Sequence, residues 1–192
     1  MISYIGNRPA LQIGHYQVTD YDGAWLDDAL RRAAQAADHD NFPFVEEICA
    51  GILQYLETKC PLKLMRLDDL YERLRKMLVK IGCQPIAEKL ETVAPPVTLS
   101  LVRHALEATS NLGFELTFFE RLRTELTELH EVGAEEVRFV GLRRSVLILR
   151  GTESWDKRCE ALLQEIRSFI AAWDHEQHDT PHPLKVVIER TA

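Results

Sequence analysis

The stretch LDDLYERLRKMLVKIG, residues 67–82, carries the longest apolar stripe of the chain. Apolar side chains recur there at intervals of three and four residues, which places them on one face of an α-helix: Leu67, Leu70, Tyr71, Leu74, Met77, Leu78 and Ile81. Acidic residues occupy the first turn and basic residues lie toward the end, as the helix dipole favours. Gly82 follows, and glycine suits the left-handed conformation that ends many helices. The stretch therefore predicts a long amphipathic helix.

The same periodicity recurs on both sides of this stretch. It predicts further helices at residues 25–37, 45–56, 85–90, 99–108, 115–131 and from Ser154 to about residue 173. Short or alternating apolar runs predict strands at residues 2–5, 11–13, 16–19, 136–140 and 184–189. The pattern is typical of a helix-dominated α+β fold, with an N-terminal helical bundle that includes short strands and a C-terminal α/β half with a small sheet.

One apolar segment, residues 145–149, fits two structures. Its sequence SVLIL suits either a buried strand or one face of a helix, and the glycines that bracket it, Gly141 and Gly151, favour the strand. If this strand pairs with residues 136–140 as a hairpin, Arg143 and Arg144 lie at the exposed turn.

The segment Ala94-Pro95-Pro96 is the best candidate for a domain boundary. The second proline restricts the first to an extended conformation, so a helix cannot continue through the pair. We therefore expect a helical domain over residues 1–94 and an α+β domain over residues 97–192, although one continuous core also fits the length of 192 residues.

Charge and composition narrow the function classes. The net charge of -7 disfavours general binding to nucleic acids. No apolar run approaches the ~20 residues needed to cross a bilayer, so no membrane association is expected. The N-terminal residues lack the apolar core of a signal peptide, and the four cysteines form no C-x-x-C pair. These features together predict a cytoplasmic protein.

Residues 16–90 resemble the ATP-cone, a nucleotide-binding regulatory module of ribonucleotide reductases and of the repressor of their genes. The resemblance rests on a turn at Tyr21-Asp22-Gly23 and on four further segments: residues 28–33 (DALRRA), 67–74 (LDDLYERL), 78–82 (LVKIG) and 86–87 (IA). It implies an N-terminal strand region joined to a bundle of helices. It also implies a nucleotide as the ligand.

The sequence departs from that family at the turn itself. The resemblance implies a Lys-Arg pair just before the turn, where it helps to hold the nucleotide phosphates. This chain has Asp20-Tyr21-Asp22-Gly23 there, without a basic residue, and carboxylates repel a triphosphate. The second strand that normally follows the turn is also missing from the pattern.

Four arginines in an acid-free stretch form the first candidate site: Arg138, Arg143, Arg144 and Arg150. Guanidinium groups bind phosphate oxygens in a bidentate manner, so the group predicts an anion-binding site. Alternatively, the arginines pair with surface carboxylates or keep an edge strand soluble.

Three of the seven histidines form the second candidate site: His175, His178 and His182. Imidazoles beside carboxylates can coordinate a divalent transition metal, and His175 and His178 share a helix face if the last helix extends that far. Alternatively, the segment is a polar connector before the last strand.

No P-loop, G-x-G-x-x-G or G-x-S-x-G motif is present, and no catalytic residue is assigned. We therefore predict a non-enzymatic binding or regulatory module that recognises a phosphate-bearing ligand or a protein partner. A metal-dependent hydrolase that uses the histidines is the alternative. No cofactor is required, although a nucleotide or a divalent metal fits the two candidate sites. Self-association is also predicted, because Phe118 and Phe119 adjoin and point in different directions, so that together with Phe114 they exceed the needs of one helix face. Alternatively, a wide apolar face in a deep core explains these residues equally well.

Overall fold

The structure is a computed structural model that describes residues 8–39, 42–110, 114–176 and 183–189. The described residues form eight α-helices and two three-stranded sheets, which confirms the predicted helix-dominated α+β fold. The chain divides into two compact units, Met1–Pro95 and Pro96–Ala192. The division falls between two consecutive prolines, which cannot continue a helix.

The first unit contains a small mixed sheet with the strand order β2-β1-β3. Strand β1 (Ala10–Ile13) pairs antiparallel with β2 (Tyr16–Val18) and parallel with β3 (Leu64–Arg66). Leu11 lies opposite Val18 on one side and Met65 on the other, and all three side chains are buried. One face of the sheet is therefore apolar and belongs to the core of the unit.

Four helices complete the first unit: α1 (Ala24–Ala36), α2 (Val45–Thr58), α3 (Leu67–Lys80) and α4 (Gln84–Lys89). Helix α1 packs on α2 and α4, and α3 packs on α4 and on the sheet. Tyr71, Leu74 and Leu78 of α3 are buried, as the apolar stripe of residues 67–82 predicted. Helix α2 thus packs mainly on α1, and α3 packs mainly on α4 and the sheet.

The second unit contains a parallel sheet with the strand order β4-β5-β6. Its elements follow one another as β4 (Val97–Ser100), α5 (Leu101–Ser110), α6 (Phe114–Glu131), β5 (Glu136–Val140), α7 (Leu142–Arg150), α8 (Lys157–Glu176) and β6 (Lys185–Ile188). Two helices thus connect each strand to the next, as parallel strands require a long crossover. Val137 and Phe139 of the central strand are fully buried, while Glu136, Arg138 and Val140 face the other side of the sheet.

The structure corrects the interpretation of residues 145–149. They form helix α7 and not a strand, so the hairpin that would have exposed Arg143 and Arg144 at a turn does not exist. The bracketing glycines are the helix caps: Gly141 and Gly151 both adopt left-handed backbone conformations, with φ of 78° and 61°. Ser145 is buried, and its hydroxyl donates to the carbonyl of Leu142 at 2.7 Å, within the helix.

Two boundaries also differ from the sequence prediction. Residues 97–100 are a strand, so the helix expected at residue 99 begins at Leu101. The last helix is capped by Asp156, whose Oδ1 accepts a hydrogen bond from the Cys159 N–H at 2.8 Å, and not by Ser154. The strand expected at residues 2–5 lies outside the described residues.

Helix α6 buries Leu122, Leu126 and Leu129, as the three- and four-residue spacing of its apolar residues predicts, but its first turns differ from that prediction. The same spacing predicts that Leu116 and Phe119 also face inward, but Leu116 is 70% exposed, and Phe118 is fully buried. Phe119 is half-buried and packs on Phe169 of α8, with ring centroids 5.2 Å apart. Phe118 and Phe119 therefore both have neighbours inside the second unit, and the side chain of Phe114 lies outside the described set.

Candidate functional site

An apolar groove with a volume of about 600 Å³ lies between α2 and α3 of the first unit. Phe44 precedes α2, and Ile48 and Ile52 line the α2 wall, while α3 contributes the other apolar wall through Leu70, Leu74, Met77 and Ile81. We refer to this surface as the α2–α3 groove. Phe44 and Ile81 are 55% and 53% exposed, so the groove leaves large apolar side chains in water.

The groove exists because each helix carries more apolar surface than its own packing covers. Helix α2 buries Val45, Cys49 and Leu56. Successive residues turn by 100° around a helix, so Ile48 and Ile52 lie beside that buried face and remain half-exposed. Helix α3 likewise carries apolar surface that its packing does not cover, on the side of Met77. A stripe wider than the core requires is thus left uncovered on two neighbouring helices.

A glycine in the middle of α2 widens the groove. Gly51 lines it, and a Cβ atom built at this position meets no other atom within 4 Å. Glycine in a helix interior costs about 1 kcal/mol of stability relative to alanine. No packing contact within the described residues requires glycine there, so its effect is to leave room in the groove.

Two charged side chains stand on opposite walls of this apolar surface. Glu47 lies on α2, and Arg73 lies on α3. The Arg73 Nη1 donates a hydrogen bond to the phenol oxygen of Tyr55 at 3.0 Å, which joins the two walls at one point. The groove holds no nucleophile with an adjacent base and no set of metal ligands. Its chemistry is that of an apolar binding surface with one cation and one anion at its margins.

The four predicted anion-binding arginines lie on two elements of the second unit. Arg138 on β5 donates to Glu136 at 2.6 Å, and Arg150 at the end of α7 donates to Glu115 at 2.7 Å. Arg143 stacks over the ring of Trp155, with its guanidinium carbon 4.3 Å from the ring centroid, and Arg144 is exposed on α7. Three of the four are therefore engaged with side chains of their own unit.

The carboxylate of Glu136 accepts from two of the basic residues of the sheet. Its Oε1 accepts from Arg138 and its Oε2 accepts from Lys185 at 2.7 Å. Burial opposes ionisation of this carboxyl group, but the bonds from Lys185 and Arg138 outweigh burial and lower the pKa of Glu136. Arg138 thus contributes to a structural ion-pair network on the sheet.

The predicted histidine site can be placed only in part. His175 lies in the last turn of α8, whereas His178 and His182 lie outside the described residues. Within either unit, the described His, Cys, Asp and Glu side chains do not bring three ligand atoms together at metal-binding distances. The four cysteines are free thiols, and Cys49 and Cys159 are buried.

The turn that the ATP-cone resemblance assigns to phosphate binding has a structural role in this chain. The Asp22 carboxylate accepts a hydrogen bond from the Ala24 N–H at 3.0 Å, at the start of α1. The buried Tyr21 hydroxyl donates to the carbonyl of Pro9 at 2.8 Å, and Arg8 donates to the carbonyl of Tyr21 at 3.2 Å. The turn therefore anchors the first strand to the first helix.

We expect the stability of the first unit to fall above pH 10 because of Tyr21. Burial raises the pKa of Tyr21 from 10.0 to about 12. Between these values the tyrosine ionises in the unfolded chain but stays neutral in the folded one, so the unfolded state gains stability as the pH rises. Urea unfolding of the wild type should show a free energy of unfolding that decreases from pH 10 to 12. The Tyr21→Phe variant should lose less over the same range, and equal slopes would contradict this assignment.

No helix in the described residues is long and apolar enough to cross a membrane. Comparisons of the chain with family models, with curated proteins and with solved structures found no match in any of the three.

Proposed function

We propose that this protein is a non-enzymatic binding module whose first unit accommodates an amphipathic helix of a partner protein in the α2–α3 groove. The observation that carries the proposal is the apolar lining of a groove bounded by two helices, which leaves Phe44 and Ile81 more than half exposed. Exposed contiguous apolar surface of this kind marks interaction sites in soluble proteins.

The geometry of the walls favours a helix over an extended peptide. Each wall is a 14-residue helix and so about 20 Å long, enough for three or four turns of a ligand helix. The backbone groups inside both walls are already bonded within their own helices, so they offer few partners to an extended chain. A helical ligand satisfies its own backbone and presents apolar side chains at positions i, i+4 and i+7.

We also propose that the first unit is an ATP-cone-like module in its architecture. Its two N-terminal strands and four helices, with β3 between α2 and α3, support this proposal, because the resemblance implies a strand region joined to a bundle of helices. The acidic turn at Asp20 and Asp22 argues against the phosphate contact of that family, since Asp22 accepts the N–H at the start of α1. In this proposal the turn holds the fold together, and the ligand surface is the α2–α3 groove.

The other functions predicted from the sequence receive less support. A phosphate-binding site needs free guanidinium groups, but Arg138 and Arg150 are bonded to carboxylates. A metal-dependent hydrolase depends on His178 and His182, which lie outside the described residues. Both functions stay predictions from the sequence.

A helical-peptide display selection tests the groove. The library should carry randomised apolar residues at i, i+4 and i+7, and a matched library should carry a central proline that breaks the helix. Wild-type protein should enrich the helical library and not the proline library. The proposal would be abandoned if neither library is enriched over an uncoated support.

Two groove variants and one control localise the binding. Ile81→Asp should weaken an enriched peptide by about tenfold or more, as expected for the loss of an apolar anchor. Val79→Asp is the matched control, because Val79 lies near the same end of α3, is 50% exposed and does not line the groove. Gly51→Leu should block binding without loss of stability, since it fills the groove and removes a helix-interior glycine. Equal effects of Ile81→Asp and Val79→Asp would place the binding site elsewhere.

A further inference from the structure

We infer that the α2–α3 groove binds its partner helix in one direction, with acidic residues along the flank that faces α3 and basic residues along the flank that faces α2. This inference rests on the proposed function. It adds the chemistry and the orientation of the partner to the general expectation of an apolar helix.

The two charges of the groove are available to a ligand. Arg73 is exposed, and its only hydrogen bond to a described residue joins it to the neutral phenol of Tyr55. Glu47 is also exposed and forms no ion pair with any residue that the structure describes. The other side chains of the lining are apolar, apart from the Tyr55 hydroxyl. An arriving helix thus meets an unneutralised cation on one wall and an unneutralised anion on the other.

Neighbouring residues extend the asymmetry along α3. Lys80 follows Arg73 by seven residues, which is two helical turns, and so lies on the same side of the helix. Asp69 precedes Arg73 by one turn and offsets part of this charge toward the start of α3. On α2, the residues one and two turns beyond Glu47, Gly51 and Gln54, are uncharged. The side of α3 that carries Arg73 is therefore basic from residue 73 to residue 80, with Arg73 itself in the groove lining, and the α2 wall is acidic near its start.

Opposite charges on the two walls select the direction of a bound helix. A helix that lies with its apolar face in the groove exchanges its left and right flanks when it is turned end for end. A partner with acidic residues on one flank and basic residues on the other thus forms two attractive pairs in one direction and two repulsive pairs in the other. The apolar stripe alone does not make this distinction.

Directional cross-linking tests the inference with a defined probe. The probe is a synthetic helical peptide with leucine at every apolar position, glutamate on one flank, lysine on the other and a photoreactive group at its N-terminus. Mass spectrometry then identifies whether the label joins the end of the groove near Phe44 or the end near Tyr55. In the wild type we expect labelling of one end to exceed labelling of the other by about tenfold. This ratio is expected when the two exposed charge pairs, with Arg73 and with Glu47, change from attraction to repulsion.

A charge-swapped double variant provides the decisive comparison. Glu47→Lys together with Arg73→Glu leaves the net charge of the protein unchanged and should move the label to the opposite end of the groove. The single variant Tyr55→Phe removes the hydrogen bond to Arg73 but keeps both charges, so it should preserve the wild-type direction. The preference should also fade at about 0.5 M salt, because exposed charges are then strongly screened.

The outcomes separate this inference from the proposed function. Labelling of both ends in the wild type, or of the same end in the double variant, would overturn the inference while the groove still binds a helix. Absence of any label would overturn the proposed function as well. If sedimentation shows a dimer that Ile81→Asp dissociates, the occupant is a second copy of the chain, and the acidic-flank partner is ruled out.

Discussion

Replacement of Gly141 by alanine should destabilise the second unit by about 3 kcal/mol, because two separate costs add at this position. Its φ of 78° is left-handed, which costs a residue with a Cβ atom about 1–2 kcal/mol. The added Cβ would also lie 2.7 Å from Cγ2 of Val102 on α5. Valine has one strongly preferred rotamer in a helix, so Val102 cannot turn away cheaply. Urea unfolding of the full chain measures the loss.

Gly151→Ala is the matched control for this effect. Gly151 caps the other end of the same helix with a φ of 61°, but a Cβ atom there meets nothing within 4 Å. Gly151→Ala should therefore destabilise the unit by only about 1 kcal/mol, the cost of the left-handed backbone conformation alone. A double-mutant cycle of Gly141→Ala with Val102→Ala should show a coupling of about 1 kcal/mol or more. Equal losses of stability for the two glycine variants would mean that the contact between the added Cβ atom and Val102 contributes no measurable cost.

Phe118→Ala should destabilise the second unit by about 3–5 kcal/mol, the range for removing a fully buried phenylalanine ring. Phe118 has no exposed surface and lies on the same face of α6 as Leu122 and Leu129. The surrounding side chains cannot close the space left by an aromatic ring, so a cavity adds to the lost hydrophobic burial. Thermal and urea unfolding of the purified variant would measure the change.

Phe119→Ala provides the comparison, since it removes the same atoms one residue along the chain. Phe119 is half-buried, and its ring packs on Phe169. Loss of that aromatic contact should cost about 1 kcal/mol beyond a modest loss of burial, well below the effect at Phe118. A larger loss at Phe119 than at Phe118 would show that the start of α6 buries Phe119, as its sequence predicts, and not Phe118.

The fold class could be predicted because long helices carry many independent signals. The stripe of residues 67–82 and the strict alternation of residues 136–140 identify α3 and β5 without any tertiary information. The three-residue strand β3 could not be predicted, because its conformation depends on pairing with Ala10, Leu11 and Gln12, more than fifty positions earlier. Short strands are defined by their partners and hardly at all by their own residues.

Residues 145–149 show a second limit, which concerns glycine. Flanking glycines can end a strand or cap a helix, and the sequence does not distinguish these roles. In this chain both Gly141 and Gly151 adopt left-handed conformations that end a helix. The apolar run SVLIL then buries Ser145, Val146 and Leu149 on one face of α7. The contacts of α7 with α5 and α8 determine that this face is buried, and these contacts are not visible in the sequence.

The α2–α3 groove could not be predicted, although its residues were identified as apolar stripes. Periodicity shows that Ile48, Ile52 and Met77 share faces with core residues, but it does not show how much of each face a neighbouring helix covers. Gly51 inside α2 was the one signal in the sequence, because glycine is unfavourable in a helix interior. Coverage is a property of how the helices pack and is therefore visible only in three dimensions.

The parallel order β4-β5-β6 also has a consequence for how the second unit refolds. Its paired strands are far apart in the chain, since Val97 pairs with Val137 and Val137 pairs with Val186, separations of about 40 and 50 residues. Closing loops of that length costs entropy before any strand contact compensates for it. The helical hairpins can form from local contacts, but the central strand gains its neighbours only at the rate-limiting step. Formation of this sheet, and not of the helices, should therefore set the folding time of the unit.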